Sequence, residues 1–370
     1  MRSSWGRQIT YSLFGESHGP GIGITIHHLP AGFEPDLESI RAMLDRRRPG
    51  TGTHSTPRQE KDAYEFLSGF FNGRLTGAPL TVLFRNHDTR SQDYKALGTV
   101  PRPSHADYAA HVKYSSFNDY RGGGHFSGRL TAPLVFAGAL AAQLLARQGV
   151  CIVGHLVRIG SVEAPSLDPL GKGIDKALLG TIGSRALPVA RPESLEPMLA
   201  EIEAARMAGD SVGGTVEIVA VGVPAGWGEP LFEAVESTLA QLVFAIPGVK
   251  ALEFGAGKDF AHLTGSQAND GWTATQKGIE ALTNRSGGIN GGITNGMPLC
   301  FRVTFRPTPS IALEQHSVNL ETGSDELLAI RGRHDPCIVP RACPVVEAVT
   351  AMALLEAMLD QQIQRQEDWK

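Results

Sequence analysis

Cysteine is scarce in this chain of 370 residues: Cys151, Cys300, Cys337 and Cys343 are the only four, and no C-x-x-C pair is among them. A zinc ribbon and a redox dithiol are thereby disfavoured, and reduced structural thiols are expected. An excess of one charge is also missing. The 34 Lys and Arg stand against 38 Asp and Glu, a formal net charge of −4, which argues against a general nucleic-acid binder. Long hydrophobic runs are lacking too. The longest small-and-apolar stretch, 132–146, is interrupted by Gln143 and too short to cross a bilayer, and the opening MRSSWGRQITYSLFG has no apolar signal core. These features lead us to expect a cytoplasmic protein. Absent as well are G-x-x-x-x-G-K-[ST], a G-x-G-x-x-G placed between strand and helix, and H-E-x-x-H, so ordinary nucleotide folds and the commonest zinc-hydrolase pattern are disfavoured.

What the chain does have is glycine: 43 residues, about 12% against a usual figure of about 7%. With 42% hydrophobic and 19% charged residues the composition is otherwise that of a globular protein able to bury a large core. The glycines gather where polar side chains gather, in GESHGPG from Gly15, RGGGHFSGR from Arg121 and NRSGGINGGITNG from Asn284. Such loops let backbone approach a ligand closely, and their successive N–H groups form concave anion sites.

One of these loops recurs. GESHGPGIGITIHHLPAGFEPDL from Gly15 aligns without a gap on GDSVGGTVEIVAVGVPAGWGEPL from Gly209, with eight of 23 positions identical, Phe33 opposite Trp227 and Val212 opposite His18. A second pair, NGRLTGAPL from Asn72 and NGGITNGMPL from Asn290, follows in the same order with one inserted residue. We read a duplicated supersecondary unit, with halves of about 8–150 and 205–365 inside a single domain spanning 1–370.

Strand patterning is expected at 22–29, 80–85, 215–223 and 299–305, each bounded by Gly or Pro, and helical periodicity at 37–47, 131–148, 192–208, 231–244 and 345–366. Hairpin-like spacings outnumber crossovers, so the expected class is α+β, with antiparallel sheets against helices. Residues 162–192 carry the weakest pattern and are expected to connect the halves.

Arginine is the second chemical signal. Arg46, Arg47 and Arg48 precede Pro49-Gly50, Arg102 lies in PRPSHAD, Arg121 and Arg129 flank the glycine box, and Arg333 and Arg341 lie in RGRHDPCIVPR. Guanidinium forks on Gly- and Pro-rich loops suit a small substrate with several negative charges, while Arg46 and Arg47 also suit a helix C-terminus. Third come Ser17-His18, His105-Ala106-Asp107 and Arg333-His334-Asp335-Pro336. A histidine can protonate a departing phosphate near neutral pH, and a carboxylate can accept a proton. His105, Asp107 and His111 are spaced closely enough for a metal, although the neighbouring arginines oppose a dication. A metal-dependent phosphohydrolase and a non-catalytic anion-binding protein remain the competing functions. A spread acid–base set is more than binding alone needs.

Taken in order, GESHG, DRRRPG, RSQDY, RPSHADY with KYSSFNDYRGGG, GDSVGG and GRHDPC resemble the chorismate synthase family over almost the whole chain. The resemblance implies trans-1,4-elimination of phosphate from 5-enolpyruvylshikimate 3-phosphate, a requirement for reduced FMN, a homotetramer, and a β-α-β sandwich of antiparallel sheets around helices. It implies that His18 protonates the leaving phosphate and that His105 holds the reduced flavin in its working protonation state. Asp335 with Ser17 relays a proton. Arg48, Arg102, Arg129 and Arg333 hold the substrate's anions, and Ser127, Asn269, Gly291 and Arg306 contact the flavin. No metal is implied. Without a dinucleotide fingerprint to take electrons from NADPH, supply from an external flavin reductase is favoured. The family's frequent RGGGRSSARET box reads RGGGHFSGRLT here, with His125, Phe126, Gly128 and Leu130 in place of common residues. Thr53 and Arg306 replace a frequent arginine and lysine.

Overall fold

The computed structural model describes residues 3–48, 62–86, 98–170, 174, 176–185, 187–276, 278–330 and 335–364. In the first half the elements are β1 (Ser4–Trp5), β2 (Thr10–Gly15), β3 (Gly21–His27), α1 (Leu37–Arg47), β4 (Tyr64–Ser68), β5 (Phe70–Phe71), β6 (Arg74–Leu75), β7 (Leu80–Arg85), α2 (Asp107–Lys113) and α3 (Thr131–Ala146). The second half holds β8 (Cys151–Ile159), β9 (Val162–Glu163), α4 (Lys176–Ser184), α5 (Leu195–Met207), β10 (Gly214–Val221), α6 (Val235–Val243) and β11 (Val249–Phe254). It continues through α7 (Gly265–Ala268), β12 (Trp272–Thr275), β13 (Gly278–Ala281), β14 (Ile289–Asn290), β15 (Ile293–Thr294), β16 (Leu299–Phe305), β17 (Gln315–Val318), β18 (Asp325–Leu328) and α8 (Val339–Gln364).

Two five-stranded antiparallel sheets enclose a layer of helices, giving an α+β sandwich in β-α-β layers. The first runs β1-β2-β3-β7-β4 and the second β11-β16-β10-β8-β9. The strand period of two decides which face turns inward. Ile22, Ile24 and Ile26 of β3 sit opposite Phe84, Val82 and Leu80 of β7, and all six are buried. Phe136 of α3 packs its ring against Tyr64, Phe66 and Phe84. In the second sheet Val216, Ile218 and Ala220 oppose Val303, Phe301 and Leu299 in the same manner. The central helices α3 and α8 cross so closely that a Cβ added to Gly138 would run into Ala348. Contrary to the sequence expectation, Gly128–Ala146, which contains α3, is with Val339–Ile363 of α8 long and apolar enough to cross a membrane, yet both are mostly buried, α8 almost wholly, as core helices must be.

The two repeated motifs make the same hydrogen bonds. Gly32 N donates to Leu75 O and Leu75 N to Phe33 O, each at 2.8 Å; Gly226 N donates to Thr294 O at 2.8 Å and Thr294 N to Trp227 O at 2.9 Å. The strand orders β2-β3-β7-β4 and β8-β10-β16-β11 also correspond. The halves differ in their connections. Residues 16–20 join β2 to β3, whereas 160–213, with α4 and α5, join β8 to β10; residues 86–130 precede α3 and 306–338 precede α8.

Several boundaries differ from the sequence expectation. Residues 162–192 are not a bare connection: α4 lies within them, and Ile182 packs with Val153 on the outer face of the second sheet. The helix expected from Val345 starts at Val339 and carries Pro344 inside it. The single carbonyl left unpaired by a proline is outweighed there by burial of the flanking residues. Helices expected from 192 and 231 open as short 3-10 turns before α5 and α6.

Candidate active site

Helix α1 is capped by Asp36, whose carboxylate accepts from Glu38 N and Ser39 N at 3.0 Å, and it ends at Arg47, two residues before Pro49. This places Arg46–Arg48 at the end of the sandwich where β2 turns into β3. In that turn Gly19 N donates to Glu16 O at 3.0 Å, and Ser17 N donates to Gly124 O at 3.1 Å. Gly122, Gly123 and Gly124 all have left-handed φ, 59°, 83° and 53°, which only glycine adopts cheaply in succession.

Lack of a side chain on these glycines brings the chemistry together. A Cβ on Gly122 would collide with the His18 ring, 2.6 Å from its Nε2, and lie 2.9 Å from Ser17 Oγ. On Gly123 it would lie 3.3 Å from His105 Nε2 and 3.8 Å from an Arg102 guanidinium nitrogen. Ser17, His18, Arg102 and His105 therefore converge on two adjacent glycines. Ser17, His18 and Arg102 are buried. His125, where the family box often has arginine, ties the turn down: its Nδ1 donates to Gly15 O at 2.9 Å, and its Nε2 is hydrogen-bonded with Ser3 Oγ at 3.1 Å.

His105 is held by a carboxylate. Its Nδ1 is 2.5 Å from Asp107 Oδ1, and Arg102 binds the same carboxylate through Nε at 2.7 Å, a terminal nitrogen at 2.8 Å and its backbone N–H at 3.1 Å. Burial alone would raise the Asp107 carboxyl pKa, but the hydrogen bonds from Arg102 and His105 outweigh it and hold the group well below the usual carboxylate range. With Nδ1 engaged, the ring presents Nε2 toward Gly123. The segment carrying these residues leans on the second half: Leu320 N donates to Thr99 O at 2.8 Å, Ser317 Oγ to Pro101 O at 2.5 Å, and Arg306 to Ser104 O.

Most of the surrounding arginines are already paired. Arg46 forks onto Glu347 at 2.6 and 2.8 Å. Arg47 binds Asp62 at 3.0 Å and reaches Gly128 O, Arg129 O and Thr131 Oγ1 at the start of α3. Arg129 binds the same Asp62, and its Nε donates to Asn86 Oδ1 at 3.2 Å. Arg48 pairs with Asp45 at 3.3 Å, half exposed. Asp335, just before α8, is bound by Arg341, whose Nε donates to Arg47 O at 3.0 Å, so Asp335 lies beside the end of α1. Arg333 and Thr53 lie outside the described residues. Arg306 differs from the rest: it has no carboxylate partner among the described residues, and burial lowers its pKa. A partly desolvated cation without a counter-ion fits a bound anion such as a phosphate.

Three other expected contacts fall elsewhere. Ser127 caps a short turn, accepting from Arg129 N at 3.3 Å. Asn269 ends α7, beyond the C-terminal end of β11, and Gly291 is the exposed turn of the β14–β15 hairpin. That hairpin adjoins Gly226, whose carbonyl accepts from Gln361 near the far end of α8. Asp335 precedes the near end, and the 26 residues of α8 span about 39 Å. Within one chain, Asn269 and Gly291 are thus not brought to His18 and His105. Among the described residues, no group of three or more His, Cys, Asp or Glu is arranged to hold a metal. Asp62 and Asn86 carry no motif in the sequence; Asp107, expected there as a proton-accepting carboxylate or a metal ligand, is placed by the structure as the partner of His105 and Arg102.

Comparison with known proteins agrees with this arrangement. Residues 9–359 match the family model for chorismate synthase. The chain is 48% identical to the chorismate synthase of Thermococcus gammatolerans, covering 96% of this chain and 97% of the other. It is 46% identical to that of Aeropyrum pernix, covering 97% and 93%. A solved crystal structure of chorismate synthase superimposes with a TM-score of 0.76 at 28% identity, over 96% of this chain and 93% of that one. From its motifs, its fold and these matches, the chain belongs to the chorismate synthase family, lyases of the shikimate pathway.

Proposed function

We propose that the site eliminates phosphate from 5-enolpyruvylshikimate 3-phosphate in the trans-1,4 sense, giving chorismate, with reduced FMN bound beside the substrate. The observation that carries this reading is the convergence of Ser17, His18, Arg102 and His105 on Gly122 and Gly123, near Arg306, which has no carboxylate partner among the described residues. Reduced FMN, which Arg306 and Ser127 would hold, would supply electron density that assists loss of phosphate and a base for the ring proton, and would be recovered unchanged. The other steps belong to this chain's residues.

His18 donates a proton to the departing phosphate. His105, with Nδ1 fixed by Asp107, holds a proton at Nε2 and thereby sets the protonation state of the cofactor beside it. Ser17 Oγ and the Asp335 carboxylate pass the second proton onward. Arg48, Arg102, Arg129 and Arg333 bind the phosphate and carboxylates of the substrate, and Arg306 with Ser127 binds the anionic end of the cofactor. Asn269 and Gly291 serve the flavin from a second copy of the chain, which accords with a homotetramer. Flavin arrives reduced from an external reductase in the cytoplasm.

The test is an anaerobic assay of purified protein with substrate and chemically reduced FMN. Phosphate and chorismate are expected one for one, with the flavin still reduced after many turnovers and no activity with oxidised FMN. Phosphate release that needs a metal and no flavin, or binding without turnover, would overturn the reading.

A further inference from the structure

Asn86, immediately after β7, makes four hydrogen bonds, each relevant to the proton-donating turn. Its side-chain Nδ2 donates to Glu16 O and to Gly19 O, each at 3.0 Å. Its backbone N donates to Pro20 O at 3.3 Å, and its Oδ1 accepts from Arg129 Nε at 3.2 Å. The two carbonyls it grips flank Ser17 and His18, so one planar amide fixes both ends of the turn. Arg129 is anchored in turn by the buried Asp62. An unbroken chain of contacts therefore runs from Asp62 through Arg129 and Asn86 to the backbone on either side of His18.

We propose that Asn86 is a positioning residue for the Ser17–His18 pair, holding the His18 ring against Gly122 and registering it to Arg129. The inference rests on the proposed function, in which His18 is the proton donor. The chemistry requires an amide. A carboxylate there could accept from Arg129 but could not donate to two carbonyls and would repel them. A hydroxyl could donate to only one.

The test compares Asn86→Ala and Asn86→Asp with the wild type by steady-state kinetics under reduced FMN and by backbone hydrogen exchange. The expected result is a kcat lower by roughly 10–100-fold, the scale of a displaced catalytic group, with Asp worse than Ala and KM changed less than about threefold. Exchange at the amides of Ser17 and Gly19 is expected to accelerate while β2 and β3 stay protected. Asn86→Ser, read by the same two measurements, stands in if either variant does not fold. Unchanged kcat in Asn86→Asp, or a lower kcat/KM carried entirely by KM with unaltered exchange at the turn, overturns the assignment. Absence of phosphate release by the wild type would instead refute the proposed function, and the exchange comparison would still report whether Asn86 holds the turn.

Discussion

Replacing Asp107 by Asn perturbs the site at one oxygen and leaves the shape alone. In the wild type that carboxylate accepts from His105 Nδ1 at 2.5 Å and from Arg102 at 2.7, 2.8 and 3.1 Å. An amide offers one acceptor oxygen and turns an N–H toward either the imidazole or the guanidinium, so at least one hydrogen bond to a charged group is replaced by an unfavourable contact. Each such bond contributes about 1.5–3 kcal/mol, and Arg102, only 7% exposed, is left without its counter-charge. Breaking a buried pair in this way costs about 3–5 kcal/mol. We therefore expect Asp107→Asn to lose about 3 kcal/mol of stability at pH 7, toward the lower end because the amide keeps part of the network.

The same substitution has a pH signature. The folded-state pKa of Asp107 is depressed, so its stabilising contribution is complete above the unfolded value of about 3.9 and disappears as pH falls from there toward the folded value. The stability gap between wild type and variant should be constant above about pH 5 and narrow progressively below about pH 4. Turnover should fall by about 10² or more, because His105 loses the acceptor that fixes Nδ1, while substrate KM stays within a few-fold. Denaturant titrations from pH 3 to 7, with anaerobic phosphate release at pH 7, measure both. A gap that does not change with pH, together with normal turnover, would refute the argument.

Three further outcomes follow from the geometry. Glu217 on β10 is buried, which alone would raise its pKa, but hydrogen bonds from His155, Arg302 and Ser166 outweigh that and hold it at about 2 against a reference of 4.5. Glu217→Gln should therefore remove about 3 kcal/mol that the wild type itself loses as pH falls from about 4.5 to about 2, seen as a flatter acid-unfolding curve. Arg306→Gln should weaken FMN binding by about 1.5–3 kcal/mol in fluorescence titration with no loss of melting temperature, since the arginine is desolvated without a carboxylate partner among the described residues. Gly122→Ala, at φ 59° and against His18 and Ser17, should abolish most turnover while circular dichroism stays native.

Local signals made much of the frame legible. Asp36 before an amphipathic run and Arg48-Pro49 after it bound α1, while Gly- or Pro-flanked alternation bounds β7 and β16, and the expected ranges 37–47, 80–85 and 299–305 coincide with those elements. Strand β8 escaped because CIVGHLVRI is buried on both faces over most of its length, so alternation vanishes. Glu217 covers His155 on the outer side while Leu156 faces the core. At the site, the triglycine box and the Ser17-His18 and His105 motifs were legible because each carries its chemistry in a short string. Asp62 and Asn86 were not, because neither has a local signature. Asn86 acts on carbonyls 67 and 70 positions away, and Asp62 on arginines 15 and 67 positions away. Asn269 and Gly291 lie in glycine-rich loops that resemble the others in composition but belong to the opposite end of the fold.

The two copies of the glycine loop differ because one is read through its side chains and the other through its backbone. In the first, residues 16–20 are the whole connection between β2 and β3, and Ser17 and His18 turn toward Gly122. The second closes the longer 160–213 connection, and its polar groups are spent on neighbours. Gly209 O accepts from Ala312 N at 2.9 Å, Ser211 Oγ donates to Thr308 O at 2.7 Å, Val212 N donates to Pro336 O at 2.8 Å, and Gly213 O accepts from Gly160 N at 3.0 Å. These contacts hold the segment that follows Arg306 and the one that begins with Asp335. The Val212 side chain packs against the core, where an imidazole would lose water without a partner. Because 306–338 also braces Thr99, Pro101 and Ser104 beneath Arg102 and His105, the first half displays the histidines and the second fixes where they stand. A site built at such a junction needs an imidazole in only one copy of the loop, provided the other copy keeps its backbone.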